Sequence, residues 1–151
     1  MAPNRYTELF FLDEATALAA GHRPCGECRR VDYRRFKATW LVANRDRGLG
    51  PDVLIGAIDR ELHRDRLDPG GRPLRYRADV ASLPDGVFIV LPGVTDALLV
   101  WHGGVAPWSP AGYGAVRRPG RGQRATVLTP RSTVRTIAAG YVPAVHSSLE
   151  A

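Results

Sequence analysis

Two cysteines stand three residues apart, Cys25-Gly-Glu-Cys28, and the chain leading to them is tightly punctuated. Asp13 suits the N-cap of a short helix, Glu14 to Ala20, where its side chain accepts from the first free N–H groups. Glu14 adds negative charge near the positive end of the helix dipole. Gly21 ends the helix, because glycine enters the left-handed conformation without steric cost. Pro24 keeps the approach to Cys25 extended. Gly26 is free to make a tight turn, and a second helix is expected at or just after Cys28. Two thiolates on such a turn face one zinc ion from one side. The remaining ligands must then come from elsewhere in the chain.

Around this turn, the 151 residues suit one domain with a full core. Its expected halves are a helical one over about 1–67 and a β-rich one over about 72–146. At 44% hydrophobic residues, the chain is expected to be globular. No apolar run approaches the roughly 20 residues that a membrane span needs. The first residues do not read as a signal peptide, so the expected location is cytoplasmic with no membrane partner. Two cysteines so close together are no secreted-type disulfide framework. Of the 21 basic residues all but Lys37 are arginine, a composition suited to bidentate contacts with phosphate. The net charge of +6 fits a nucleic-acid partner, with a solvated basic surface as the alternative.

Arg29 to Ala43 reads as a helix in which Val31, Phe36, Trp40 and Ala43 share a broad apolar face. Arg30, Arg34 and Lys37 lie on a neighbouring face. Gly48-Leu-Gly50-Pro51 breaks the chain. Asp52 then caps a third helix, Val53 to Leu67, with Val53, Leu54, Ala57, Ile58 and Leu62 inward. Asp68-Pro-Gly-Gly71 is a turn. Val87–Leu91, Ala97–Trp101, Val105–Trp108 and Ala125–Leu128 are strand-length runs, with His102-Gly-Gly104 as a hairpin connection. Gly114 to Gln123 is a basic, glycine-rich loop, expected to be mobile. A last helix, Ser132 to Ala139, closes at Gly140, and Tyr141 to His146 is extended. Residues 97–149 hold six arginines and no acid. The segments Ala19-Ala20-Gly21-His22-Arg23-Pro24-Cys25 and Ala138-Ala139-Gly140-Tyr141-Val142-Pro143-Ala144 echo one another, as two helices sharing one C-cap grammar, with duplication as the alternative. The fold class is α+β, with N-terminal helices around the C-x-x-C knuckle, then a small antiparallel sheet with one C-terminal helix.

The run LDEATALAAGHRPCGEC resembles the second half of the zinc-binding domain of Ada-type methyl-phosphotriester repair proteins, over about residues 9 to 30. It also resembles uncharacterised bacterial proteins carrying the same half-motif, in which a longer region precedes it, so the chain is expected to start short of theirs. The resemblance implies that Cys25 and Cys28 are a pair of zinc thiolates and that Arg23-Pro24 is the motif's own Arg-Pro. The Ada-type domain has a second cysteine pair upstream, including the methyl acceptor. The eight residues before this stretch contain neither cysteine nor histidine, so methyl acceptance by that cysteine is not expected here.

Zinc would need histidines or carboxylates to complete its shell. His22 makes an H-x-x-C-x-x-C run. His63 pairs with Arg66 at i and i+3 on the third helix, and a short Gly-Pro break favours antiparallel packing of that helix on the second. His63 is therefore expected nearer to the cysteines than His102 or His146, as a ligand or a catalytic group. For each histidine the plain alternative is a hydrogen-bonded structural residue. The cysteines have two alternatives to zinc, a redox pair and inert thiols. Arg23, Arg29, Arg30, Arg34, Lys37, Arg117, Arg118 and Arg121 are the candidate phosphate contacts. Trp101, Trp108 and Tyr113 are candidates for base stacking or for the core. These features point to a zinc-dependent nucleic-acid-binding module, with DNA repair or modification as its expected setting. The alternatives are a small metal- or thiol-dependent enzyme centred on Cys25, Cys28 and His63, and an interaction domain with a vestigial knuckle.

Overall fold

The computed structural model describes residues 11–149. The first two residues of the Ada-like run and the N-terminal lead-in fall outside that range. Four helices form: α1 (Glu14–Ala19), α2 (Arg30–Ala43), α3 (Ile55–Arg66) and α4 (Arg131–Ala138). Six strands make one sheet: β1 (Tyr76–Asp79), β2 (Phe88–Val90), β3 (Leu98–Trp101), β4 (Gly104–Ser109), β5 (Gly112–Tyr113) and β6 (Arg124–Val127). Their order is β1-β6-β2-β3-β4-β5, and every pairing is antiparallel. The α+β class and the antiparallel sheet agree with the sequence reading.

The apolar runs of the central strands are continuous because both sheet faces are covered. Ile89, Leu98, Val100 and Val105 join Phe36, Trp40, Ile58 and Leu62 of α2 and α3 in one core. Phe88, Leu99 and Ala106 point the other way, into a second core with Ala15, Tyr113 and Leu149. The short α1 serves both, through Leu18 on the first side and Ala15 on the second. Outer strand β1 escapes sequence reading because Tyr-Arg-Ala-Asp is half polar and alternates only between exposed and half-buried. Strand β5 is two residues long, too short for periodicity to register.

Three helix expectations need correction. Val31 is 79% exposed, so it does not share the buried face of Phe36 and Trp40. The third helix starts at Ile55 without a side-chain cap, so Asp52 does not cap it. Leu54 is 82% exposed and not inward. Helix α3 also does not take α2 as its principal neighbour. The two helices meet over α4, which packs on both. Asp65 of α3 fixes this arrangement by accepting from the Ser132 N–H of α4 at 2.9 Å and from Arg47 at 2.8 Å.

Segment 114–123, expected to be mobile, is tied to the sheet at Arg117. Its N–H donates to the Val105 carbonyl at 2.9 Å, and its carbonyl accepts from the Val105 N–H at 2.8 Å. The hairpin at His102-Gly103 forms as read. His102 sits at φ 48°, and Asp85 supports it by accepting from its N–H at 2.8 Å.

Candidate functional site

Asp13 caps α1 as its sequence position implies, accepting from the Thr16 N–H at 2.8 Å. At the other end the Gly21 N–H reaches the Leu18 carbonyl and the His22 N–H reaches the Ala17 carbonyl, both at 3.0 Å, with Gly21 left-handed at φ 88°. This double bond turns the chain sharply and aims His22-Arg23-Pro24-Cys25 at the end of α3. Arg66 meets it there, donating to the Ala20 carbonyl at 3.0 Å. Arg23 grips Asp59 of α3 with two bonds, Nε to Oδ1 at 2.7 Å and Nη2 to Oδ2 at 2.9 Å.

The cysteine turn is held from three sides. Tyr33 lies beside Gly26 and under the Arg23 guanidinium. The Arg29 N–H closes the turn on the Cys25 carbonyl at 3.0 Å. The Arg29 side chain pairs with Glu14 and with Asp32. Glu14 is buried and also accepts the Tyr141 hydroxyl. Neither Glu14 nor Tyr141 stands out in the sequence as a site residue. The Tyr141 hydroxyl crosses 127 positions to reach Glu14, a separation that no local pattern encodes.

A cleft of about 400 Å³ opens between the turn and α3, lined by Gly21, His22, Arg23, Cys25, Asp59, Leu62, His63 and Arg66. Three of the four sequence-selected metal candidates, His22, Cys25 and His63, therefore line one cleft, which His102 and His146 do not. Cys28 follows one turn on, its N–H donating to Cys25 Sγ at 3.5 Å. That N–H, followed by the Glu27 N–H, stabilises the thiolate and lowers the Cys25 pKa. His22 is half-buried with its ring 5.1 Å from that of Phe11. Burial lowers its pKa, and the Arg66 charge adds to the effect.

Compared with family models, curated proteins and solved structures, the chain gives no match in any of the three. Its chemistry is therefore read from its own residues. Among the described residues, no group of three or more His, Cys, Asp or Glu side chains is disposed to hold a metal ion. The donor types nonetheless suit a borderline-soft divalent ion, since two thiols and two imidazoles are its usual partners. Cys25 and Cys28 are not joined in a disulfide. No helix among the described residues is long and apolar enough to cross a membrane.

The candidate phosphate contacts divide. Arg23 and Arg29 are engaged by Asp59, Glu14 and Asp32. Lys37 is half-buried, while Arg30 and Arg34 are exposed on α2. Arg117, Arg118 and Arg121 are exposed, and the last two border a second groove of about 340 Å³ over Val80, Leu83 and Val100. Tyr113 belongs to the core and donates its hydroxyl to Asp13 at 2.7 Å, so it offers no stacking face. Trp101 and Trp108 are half-buried against the second core.

Proposed function

We propose that this protein is a nucleic-acid-binding module built on a zinc thiolate turn. Cys25 and Cys28 are the fixed pair of ligands, and His22 and His63 are the imidazoles that the cleft offers. The observation that carries the reading is the shared cleft of Cys25, His22 and His63. Metal ligation takes a deprotonated thiol and a neutral imidazole. The lowered Cys25 and His22 pKa values shift both groups toward those forms. A zinc ion would supply the binding energy that couples the knuckle to the fold. The net charge of +6 and the exposed Arg30, Arg34, Arg117, Arg118 and Arg121 supply attraction to phosphate. DNA repair or modification is the setting that the Ada-type resemblance implies.

Elemental analysis of the purified protein with thiol titration tests the metal. We expect about one zinc per chain, lost in Cys25→Ser and Cys28→Ser and reduced in His63→Ala together with thermal stability. Metal-free protein with a stable Cys25–Cys28 disulfide overturns this reading in favour of redox chemistry. A salt series tests the partner, because neutralised phosphates release counterions and affinity then falls as salt rises. Absence of DNA binding at the lowest salt would sink the nucleic-acid half.

One observation favours a second reading, a small thiol- or metal-dependent enzyme. Cys25 lines a cleft that also holds His63 and Arg66. If His63→Ala keeps full metal content and loses an activity, His63 is a catalytic group. If substitution of both cysteines changes nothing, the turn is vestigial and the domain is an interaction module.

A further inference from the structure

We infer that the solvent face of α2 is a DNA-reading face that lies in the major groove of duplex DNA. The inference rests on the nucleic-acid reading above and names the element and the form of nucleic acid. The core side of α2 is set by Phe36 and Trp40, both fully buried. At 3.6 residues per turn, the line opposite them is Val31, Ala38 and Val42. All three are exposed, Val31 at 79% and Val42 at 62%. A helix whose solvent side is merely hydrated carries polar residues along that line. Here the line is apolar, and the basic residues flank it. Arg30 and Arg34 are exposed on one side, with Arg45 just past the helix end. Arg35 stands on the other, with its guanidinium 4.9 Å from the Tyr141 ring and its Nη2 3.4 Å from Asp32.

Within α2 itself the acid is Asp32, and exposed carboxylates stand just outside its two ends, at Glu27 and Asp46. Asp32 is half-buried and engaged by Arg29 and Arg35. Asp46, beyond the helix end, pairs with Arg135 at 3.0 Å. The charge therefore complements a polyanion. The shape does too, since the 14 residues of α2 make a rod about 21 Å long for a groove about 12 Å wide. Ala38 at the middle lets the helix backbone approach closely. Val31, Ala38 and Val42 offer the apolar surface that meets thymine methyl groups, while Arg30 and Arg34 reach phosphates or guanine edges. A protein partner fits less well, because such interfaces are anchored by aromatic residues over roughly 800 Å² per side. The line here has no aromatic residue.

The test uses the full chain with a labelled random-sequence duplex and its single strand at low salt. Ala38→Glu is the main variant, since the site is exposed and glutamate is a good helix former. It should keep the wild-type melting temperature and weaken duplex binding about tenfold or more, by placing a carboxylate against the groove. Arg30→Ala with Arg34→Ala should flatten the slope of log affinity against log salt by about 2, one phosphate each. Duplex binding unchanged in Ala38→Glu overturns the α2 assignment and leaves nucleic-acid binding standing. Binding to single strands alone does the same. Binding to neither form overturns both this inference and the reading beneath it. A wild-type dimer that Ala38→Glu dissociates would make this face an interface between copies and overturn the assignment.

Discussion

Two helix ends in this protein carry the same local structure and lead to different outcomes. After α1, Gly21 is left-handed at φ 88°, and the His22 N–H reaches back five residues to Ala17. After α4, Gly140 is left-handed at φ 113°, and the Tyr141 N–H reaches back five residues to Thr136 at 3.2 Å. Both exits then meet a buried proline, Pro24 or Pro143. The residue after the glycine separates them. Tyr141 is buried edge-on to Phe36 and donates to Glu14, so the second exit is part of the core. His22 is half-buried at the rim of a cleft, so the first exit is a surface site. Identical capping thus sets the direction of a turn, and the next side chain decides whether the turn is buried or kept for chemistry.

The largest effect that tests this contrast is on stability. Tyr141→Ala should cost about 3–5 kcal/mol, the usual range for truncating a fully buried aromatic side chain. In metal-free protein His22→Ala should cost under about 1 kcal/mol, as expected away from the core. Denaturant midpoints at constant m-value measure both. Similar costs for the two would remove the distinction drawn here.

Next come the glycines themselves. Gly140→Ala should cost about 1–2 kcal/mol for a left-handed non-glycine residue, since a Cβ there meets nothing within 4 Å. At Gly21 a Cβ would come within 2.7 Å of Arg66 Cδ. Moving Arg66 also breaks its bond to the Ala20 carbonyl, worth about 1 kcal/mol more. Gly21→Ala should therefore be the more destabilising of the pair, and the same unfolding curves rank them.

The smallest effects are in pH dependence, and they belong to the α1 exit. His22 has a lowered folded pKa from burial and then from Arg66. The unfolded chain binds more protons between that value and the ordinary one of about 6.5. The contribution is complete above the ordinary value and is lost as pH falls through the folded one. His22→Gln should flatten this slope in stability measured from pH 5 to 8. Cys25 behaves alike at higher pH. Its thiol pKa is lowered by the Cys28 and Glu27 N–H groups. Its contribution is present above the ordinary thiol value and is lost as pH falls through the lowered one. Alkylation of Cys25 in Cys28→Ser should accordingly persist to lower pH than that of a free thiol.

Much of this architecture was legible because its signals are local. Asp13, Gly21 and Gly140 act within a few residues of themselves, so the start of α1 and the ends of α1 and α4 can be read from local residues alone. The apolar runs of 87–91 and 97–101 likewise determined two central strands. What those elements face depends on how they stack against one another. Val31 lies about 140° round the helix from Phe36, so once α4 covers α2 on the side of Phe36 and Trp40, Val31 is left in solvent. Arg29 reads as a candidate phosphate contact, yet it neutralises Glu14, which is buried where α1 meets Tyr141. Arg23 reads as another and is held by Asp59, 36 positions along the chain. Burial of a carboxylate dictates its partners, and which carboxylates are buried depends on how the helices stack. Periodicity within any one helix carries no record of that stacking.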